Sequence, residues 1–126
     1  MRSFVSAIII LVITLGIVTA NMLYVGRILG DLENILDSLP SDADGFRDGS
    51  FDEEIEALWE IWDEGVGIIA LTTGYPDIDR ADDAIIEAVQ SYRNNDVSSF
   101  LTARIRASDA VARMKKLAGV SFESIF

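Results

Sequence analysis

Cysteine and histidine are both missing from the 126 residues. Without thiols there is neither a disulfide framework nor a thiolate site, and nothing to carry a lipoprotein's lipid. Without imidazole the usual general base and the commonest transition-metal ligand are gone. Positive charge is scarce: 10 Lys and Arg against 21 Asp and Glu leave a formal net charge of −11. That balance argues against nucleic acid, whose phosphates call for cations, and against a polar domain lying flat on an anionic bilayer. No stretch alternates apolar and polar residues as a half-buried strand would. There is no phosphate loop, no nucleophile with a base and no basic-aromatic alternation. No catalytic, cofactor-binding or metal-binding residue is therefore assigned, no cofactor is expected, and the chain does not read as an enzyme.

What is present begins at once. From Phe4 to Val25 the chain is apolar, diluted only by Ser6, Thr14, Gly16, Thr19 and Asn21, and no charge stands between Arg2 and Arg27. Roughly twenty such residues at a 1.5 Å rise cover a ~30 Å hydrocarbon core as a helix. About a dozen Leu, Ile, Val and Phe at roughly −0.3 to −0.6 kcal/mol each favour insertion by some 4 to 7 kcal/mol in gross terms. A single mid-helix arginine would cancel about half of that. Residues 1–27 thus read as a transmembrane anchor and residues 28–126 as a small helical domain. Val18-Thr19-Ala20 fits a signal-peptide cleavage pattern, but the run outlasts the usual 7–15-residue core, and retention is the expected outcome.

Asn21, Val25, Ile28, Leu32, Ile35 and Leu39 step by fours and threes, a heptad-like seam that carries the membrane helix straight into the domain. Leu39-Pro40 ends it. Ser41 to Gly49 reads as a polar loop, and Ser50 with Glu53 as a capping box opening the next helix. That helix places Phe51, Ile55, Leu58, Trp62, Val66 and Ile69 on one side, and Thr72 to Pro76 breaks it. A further helix starts near Asp77 or Asp79, with Ile78, Ala81, Ile85, Val89 and Tyr92 inward. Asn94-Asn95-Asp96 is turn chemistry, with Asp96 the N-cap of the last helix. For that helix Val97, Leu101, Ile105, Ser108 and Ala112 form the expected inner row, beside Phe100, Val111 and Leu117. Gly119 is its expected C-cap, before a short apolar tail. The fold class is all-α: a transmembrane helix continuing into an antiparallel bundle of about four helices. Phe51, Trp59, Trp62, Tyr92 and Phe100 are its bulky core candidates.

An N-terminal span, an acidic helix with Trp62 near its middle, two further helices and the ending Ser121-Phe122-Glu123-Ser124-Ile125-Phe126 resemble domain-of-unknown-function family 4363. The resemblance covers essentially the whole chain. It implies a small single-pass bacterial membrane protein and brings no established activity. Members often carry a histidine with acids between the second and third helices. Here that segment reads Tyr75-Pro76-Asp77-Ile78-Asp79, so any role of that histidine does not transfer.

Charge falls in two blocks, acids from Asp31 to Glu87 and a basic excess from Arg93 on. Complementary helix faces are the expected reading. Asp44, Asp48, Gly49 and Asp52 echo a calcium loop, but Phe46 occupies a ligand position and Ile55 stands where a bidentate Glu is needed. Pairs such as Asp82-Asp83 and Glu53-Glu54 sit on adjacent helix positions and diverge by about 100°, unlike facing catalytic carboxylates. Gly26 and Gly30 form a small-xxx-small pair suited to a homo-oligomer contact. Near-tied flanking charge, Arg2 against Arg27, leaves orientation to the Lys/Arg-poor stretch after the span. That stretch favours a cytoplasmic N-terminus and an extracytoplasmic domain. Only Met1 to Ser3 would then remain inside, so the expected function is interaction or structural, exerted through a partner membrane or envelope protein. The alternative is a module binding a small ligand or, weakly, a divalent cation at the acidic loop.

Overall fold

The structure, a computed structural model, describes residues 1–72 and 75–125. Five helices follow in order: α1 (Arg2–Ser38), α2 (Ala43–Asp48), α3 (Asp52–Thr72), α4 (Tyr75–Arg93) and α5 (Val97–Ile125). No strand occurs among the described residues. The apolar run and the heptad-like seam are one unbroken helix, because neither proline nor a competing turn intervenes before Pro40. Leu39 leaves the helical region at φ −76°, ψ 155°, as a residue before proline is driven to do.

Four of the helices close a ring: α1 packs on α3 and α5, and α4 packs on the same two from the other side. The ring is antiparallel. Gly65, late in α3, meets Ile28 of α1, and Arg104, early in α5, reaches the Leu36 carbonyl near the end of α1 at 3.1 Å. The Leu36 carbonyl also accepts the Leu39 N–H at 3.3 Å, and Arg104 adds a cation where the helix dipole favours one.

The seam of α1 takes up burial at Val25. Val25, Leu29, Leu32 and Leu36 are fully excluded from solvent, while Asn21 is exposed and contributes nothing to the core. Opposite them lie Ile55, Leu58, Trp62 and Ile69 of α3 and Ala81, Ala84, Ile85 and Ala88 of α4. Each large aliphatic side chain so buried is worth about 1.5–3 kcal/mol against exposure. Trp62, 1% exposed, donates its indole N–H to Asp82 Oδ1 at 2.8 Å, giving the buried polar atom the partner it requires. Trp59, expected in the core, is only half-buried.

Several sequence expectations need correction. The Ser41–Gly49 loop contains α2, because Asp42 accepts the Gly45 N–H at 2.7 Å and so caps a short turn of helix that buries Phe46. The Phe46 ring lies 5.1 Å from Phe100 and 5.7 Å from Tyr92. The Ser50/Glu53 capping box is not formed. Ser50 Oγ instead approaches Asp52 Oδ2 at 3.5 Å, and the Phe51 N–H is taken by the Tyr92 hydroxyl at 2.7 Å. Helix α4 begins at Tyr75, with Pro76 in its first turn, where the missing N–H costs no hydrogen bond. Thr73 and Gly74 of the expected break lie outside the described residues.

The largest correction concerns α5. Ile105 is 62% and Leu117 43% exposed, and Ala112 faces solvent too. The buried face is Phe100, Ala103, Ala107, Ala110, Val111, Met114 and Ala118. Both α4 and α5 bury alanines, side chains small enough to let helix backbones approach closely, and theirs is the most extensive helix contact among the described residues. Nor does Gly119 end the helix, which runs on to Ile125. The side chains of the expected tail lie outside the described residues. Asp96 does cap α5, accepting the Ser99 N–H at 3.2 Å, and Asn95 takes the left-handed conformation (φ 56°) that ends α4.

Candidate functional site

The N-terminal half of α1 stands outside the bundle. Phe4, Val5, Ile8 to Ile13, Leu15 and Ile17 are each 43–69% exposed. Among the described residues this is the one helix long and apolar enough to cross a membrane. From Phe4 to Tyr24 it measures about 30 Å at 1.5 Å per residue, the thickness of a hydrocarbon core.

Charge resumes at one height on two helices. On α1 the first charged residue past the run is Arg27. On α3 the long acidic face ends at Glu64, after which Gly65 to Thr72 carry no charge. The two endings are level because Gly65 sits directly against Ile28: a Cβ there would lie 3.0 Å from both Cδ1 and Cγ2 of Ile28. The uncharged end of α3 therefore runs back alongside Val25 and the residues just before it.

At that level α1 and α3 enclose an open groove of about 300 Å³, lined by Tyr24, Arg27, Ile28, Asp31, Ile61, Glu64 and Gly65. Ile28 and Gly65 are buried beneath it, whereas Arg27, Asp31 and Glu64 are exposed. Among the described residues none of the three charged groups has an ion-pair partner. The ion pairs of the described residues are Arg106–Glu87 at 2.9 Å, and Arg113–Asp109 and Lys115–Glu33 at 3.4 Å.

At the opposite end, Tyr92 ties α4 to the start of α3. Its hydroxyl accepts from the Phe51 N–H and donates to Asp52 Oδ1 at 2.9 Å. Burial of the phenol, and then the Asp52 carboxylate beside it, push the Tyr92 hydroxyl above its ordinary range against the opposing pull of the Phe51 N–H. A shallow groove of about 650 Å³ lies over this clasp, with Arg47 and Arg93 on its walls.

The residues weighed from sequence do not assemble into a reactive centre. Asp44 and Asp48 are exposed on α2, and the Asp52 carboxylate is engaged by Tyr92 and Ser50. Asp82 is committed to Trp62, while its neighbour Asp83 faces solvent. Glu53 is exposed and Glu54 half-buried. Among the described residues no group of three or more acids converges to hold a metal ion. Gly26 and Gly30 lie on a flank of α1 with open space where their Cβ atoms would be. The predicted attraction of basic and acidic blocks is present in Lys115–Glu33 and Arg106–Glu87, but α3 takes no part in it. Sequence reasoning missed both the Tyr92 clasp and the Arg27/Glu64 groove. The signal for the second was available as the point on each helix where charge stops.

No family model matches the chain, and neither a curated protein nor a solved structure matches it.

Proposed function

We propose that the chain is a single-pass membrane protein, anchored by residues 1–27, whose helical domain 28–126 stands outside the cytoplasm and works by contact with a membrane or envelope protein. What supports this reading is the exposed apolar arm of about one bilayer thickness, joined without a break to a bundle in which α1 and α3 both resume charge beside the Ile28–Gly65 contact. The Gly26/Gly30 flank, open on the same helix, is the surface on which a second span or a second copy would pack. The alternative of a cation-binding loop gains no support, as no three acids gather among the described residues.

The absence of cysteine makes topology directly testable. A single cysteine introduced at the exposed Ser50 is expected to react with a membrane-impermeant maleimide in intact cells, while the protein resists alkaline extraction from membranes. Labelling only after lysis would reverse the orientation, and recovery of the chain in the soluble fraction would dismiss the anchor.

A further inference from the structure

We propose that the groove between α1 and α3 holds the headgroup of an amine-bearing phospholipid of the bilayer, with Arg27 on the phosphate and Asp31 and Glu64 on the ammonium. This rests on the membrane reading above and adds to it a ligand and a set of residues.

Three observations carry it. The first is position: Arg27 is the residue at which a ~30 Å apolar arm ends, which is the depth of the phosphate layer. Tyr24, one turn below, presents an aromatic body and a polar tip where such rings settle in bilayers. The second is charge pattern. One guanidinium and two carboxylates line a single groove without pairing with each other, although Arg27 and Asp31 are one turn apart on the same helix. A zwitterion would engage both signs at once. The third is order along the axis. Asp31 lies one turn beyond Arg27 on the side away from the apolar arm, so the phosphate-binding Arg27 is deeper than Asp31, as a phosphate joined to acyl chains is the deeper end of its headgroup.

The chemistry then selects among lipids. A phosphodiester accepts hydrogen bonds from a guanidinium, the planar donor best suited to it. A primary ammonium brings three N–H donors to two carboxylates. A quaternary choline brings none, and a glycerol headgroup carries no cation to offset Asp31 and Glu64. Gly65 keeps the floor of the groove at Ile28, since a Cβ there would lie 3.0 Å from the Ile28 side chain and press on it.

The test uses the full chain in detergent-solubilised and vesicle-reconstituted form. Native mass spectrometry after equilibration with equal amounts of dioleoyl phosphatidylethanolamine, phosphatidylcholine and phosphatidylglycerol is expected to show the ethanolamine lipid retained about tenfold over the other two, a difference of about 1.4 kcal/mol. The Asp31→Asn/Glu64→Gln double variant is expected to lose the preference while still retaining phospholipid. Arg27→Gln is expected to lower retention of all three. All these positions are exposed, and an unchanged melting temperature certifies the fold of each variant. Equal retention of the three lipids by the parent chain, with flotation on vesicles intact, overturns the headgroup site and leaves the anchor standing. Failure to float with vesicles of any composition overturns the anchor reading itself. Displacement of the bound lipid by millimolar O-phosphoethanolamine would overturn the assignment to bilayer lipid in favour of a free phosphoamine.

Discussion

Residues 4–17 and 25–36 belong to the same helix and are built from much the same aliphatic side chains, yet their surroundings are opposite. In the first stretch every large side chain named above is at least 43% exposed; in the second, Val25, Leu29, Leu32 and Leu36 reach zero. Helical hydrogen bonds close within the segment, so the backbone is indifferent to what lies around it. What differs is the rest of the wheel. The first stretch is apolar on all sides, whereas the second carries Arg27, Asp31, Glu33 and Asp37 among its apolar positions. An all-round apolar helix suits lipid and a striped one suits a bundle.

The contrast can be broken from either end. Leu32→Ala should cost the domain about 2–5 kcal/mol, read as a lowered denaturation midpoint, with membrane retention unchanged. Ile10→Arg should do the converse, disfavouring insertion by about 2.5–3.5 kcal/mol at mid-span while the bundle melts as before. If either variant moved both readouts, the two halves of α1 would be energetically one unit. A finer probe is the pair of glycines in α3. Gly67→Ala, with nothing within 4 Å of the new methyl, should stabilise by up to about 1 kcal/mol. Gly65→Ala forfeits that gain by striking Ile28, and a melting comparison of the two variants reads the difference. The smallest effect concerns Tyr92 in alkali. Its hydroxyl is held above the ordinary value of 10.0, so its stabilising contribution is complete below pH 10 and is lost as pH rises through the raised native value. Tyr92→Phe should flatten that part of the stability profile.

The outline of the fold was readable because Pro40, Asp96 and the apolar periodicities of α1, α3 and α4 each act locally. On α5, Phe100 and Val111 are buried as expected and Val97 and Leu101 pack against the core, whereas Ile105 and Leu117 face solvent because the inward positions are taken by alanines. Helix α2 was hidden because one aspartate cap and one aromatic anchor suffice for so short a turn. The capping box failed for a different reason. The Ser50 hydroxyl is turned to Asp52 Oδ2 rather than to the Glu53 N–H, and α3 begins only at Asp52. The junction groove depends on the register between α1 and α3, which Gly65 and Ile28 set by contact and no single segment specifies. Absence of a reactive centre, by contrast, was an expectation from composition alone, and no comparison bears on it.

The unbroken course of α1 also makes the molecule a lever. With no proline or turn between Arg2 and Ser38, the span and the first wall of the bundle must rotate together. A 20° change in the inclination of the span, within the ordinary range for such helices, swings a point fourteen residues further along by about 7 Å. On the membrane reading, anything that leans on the apolar end of this rod is therefore felt at the α2 tip.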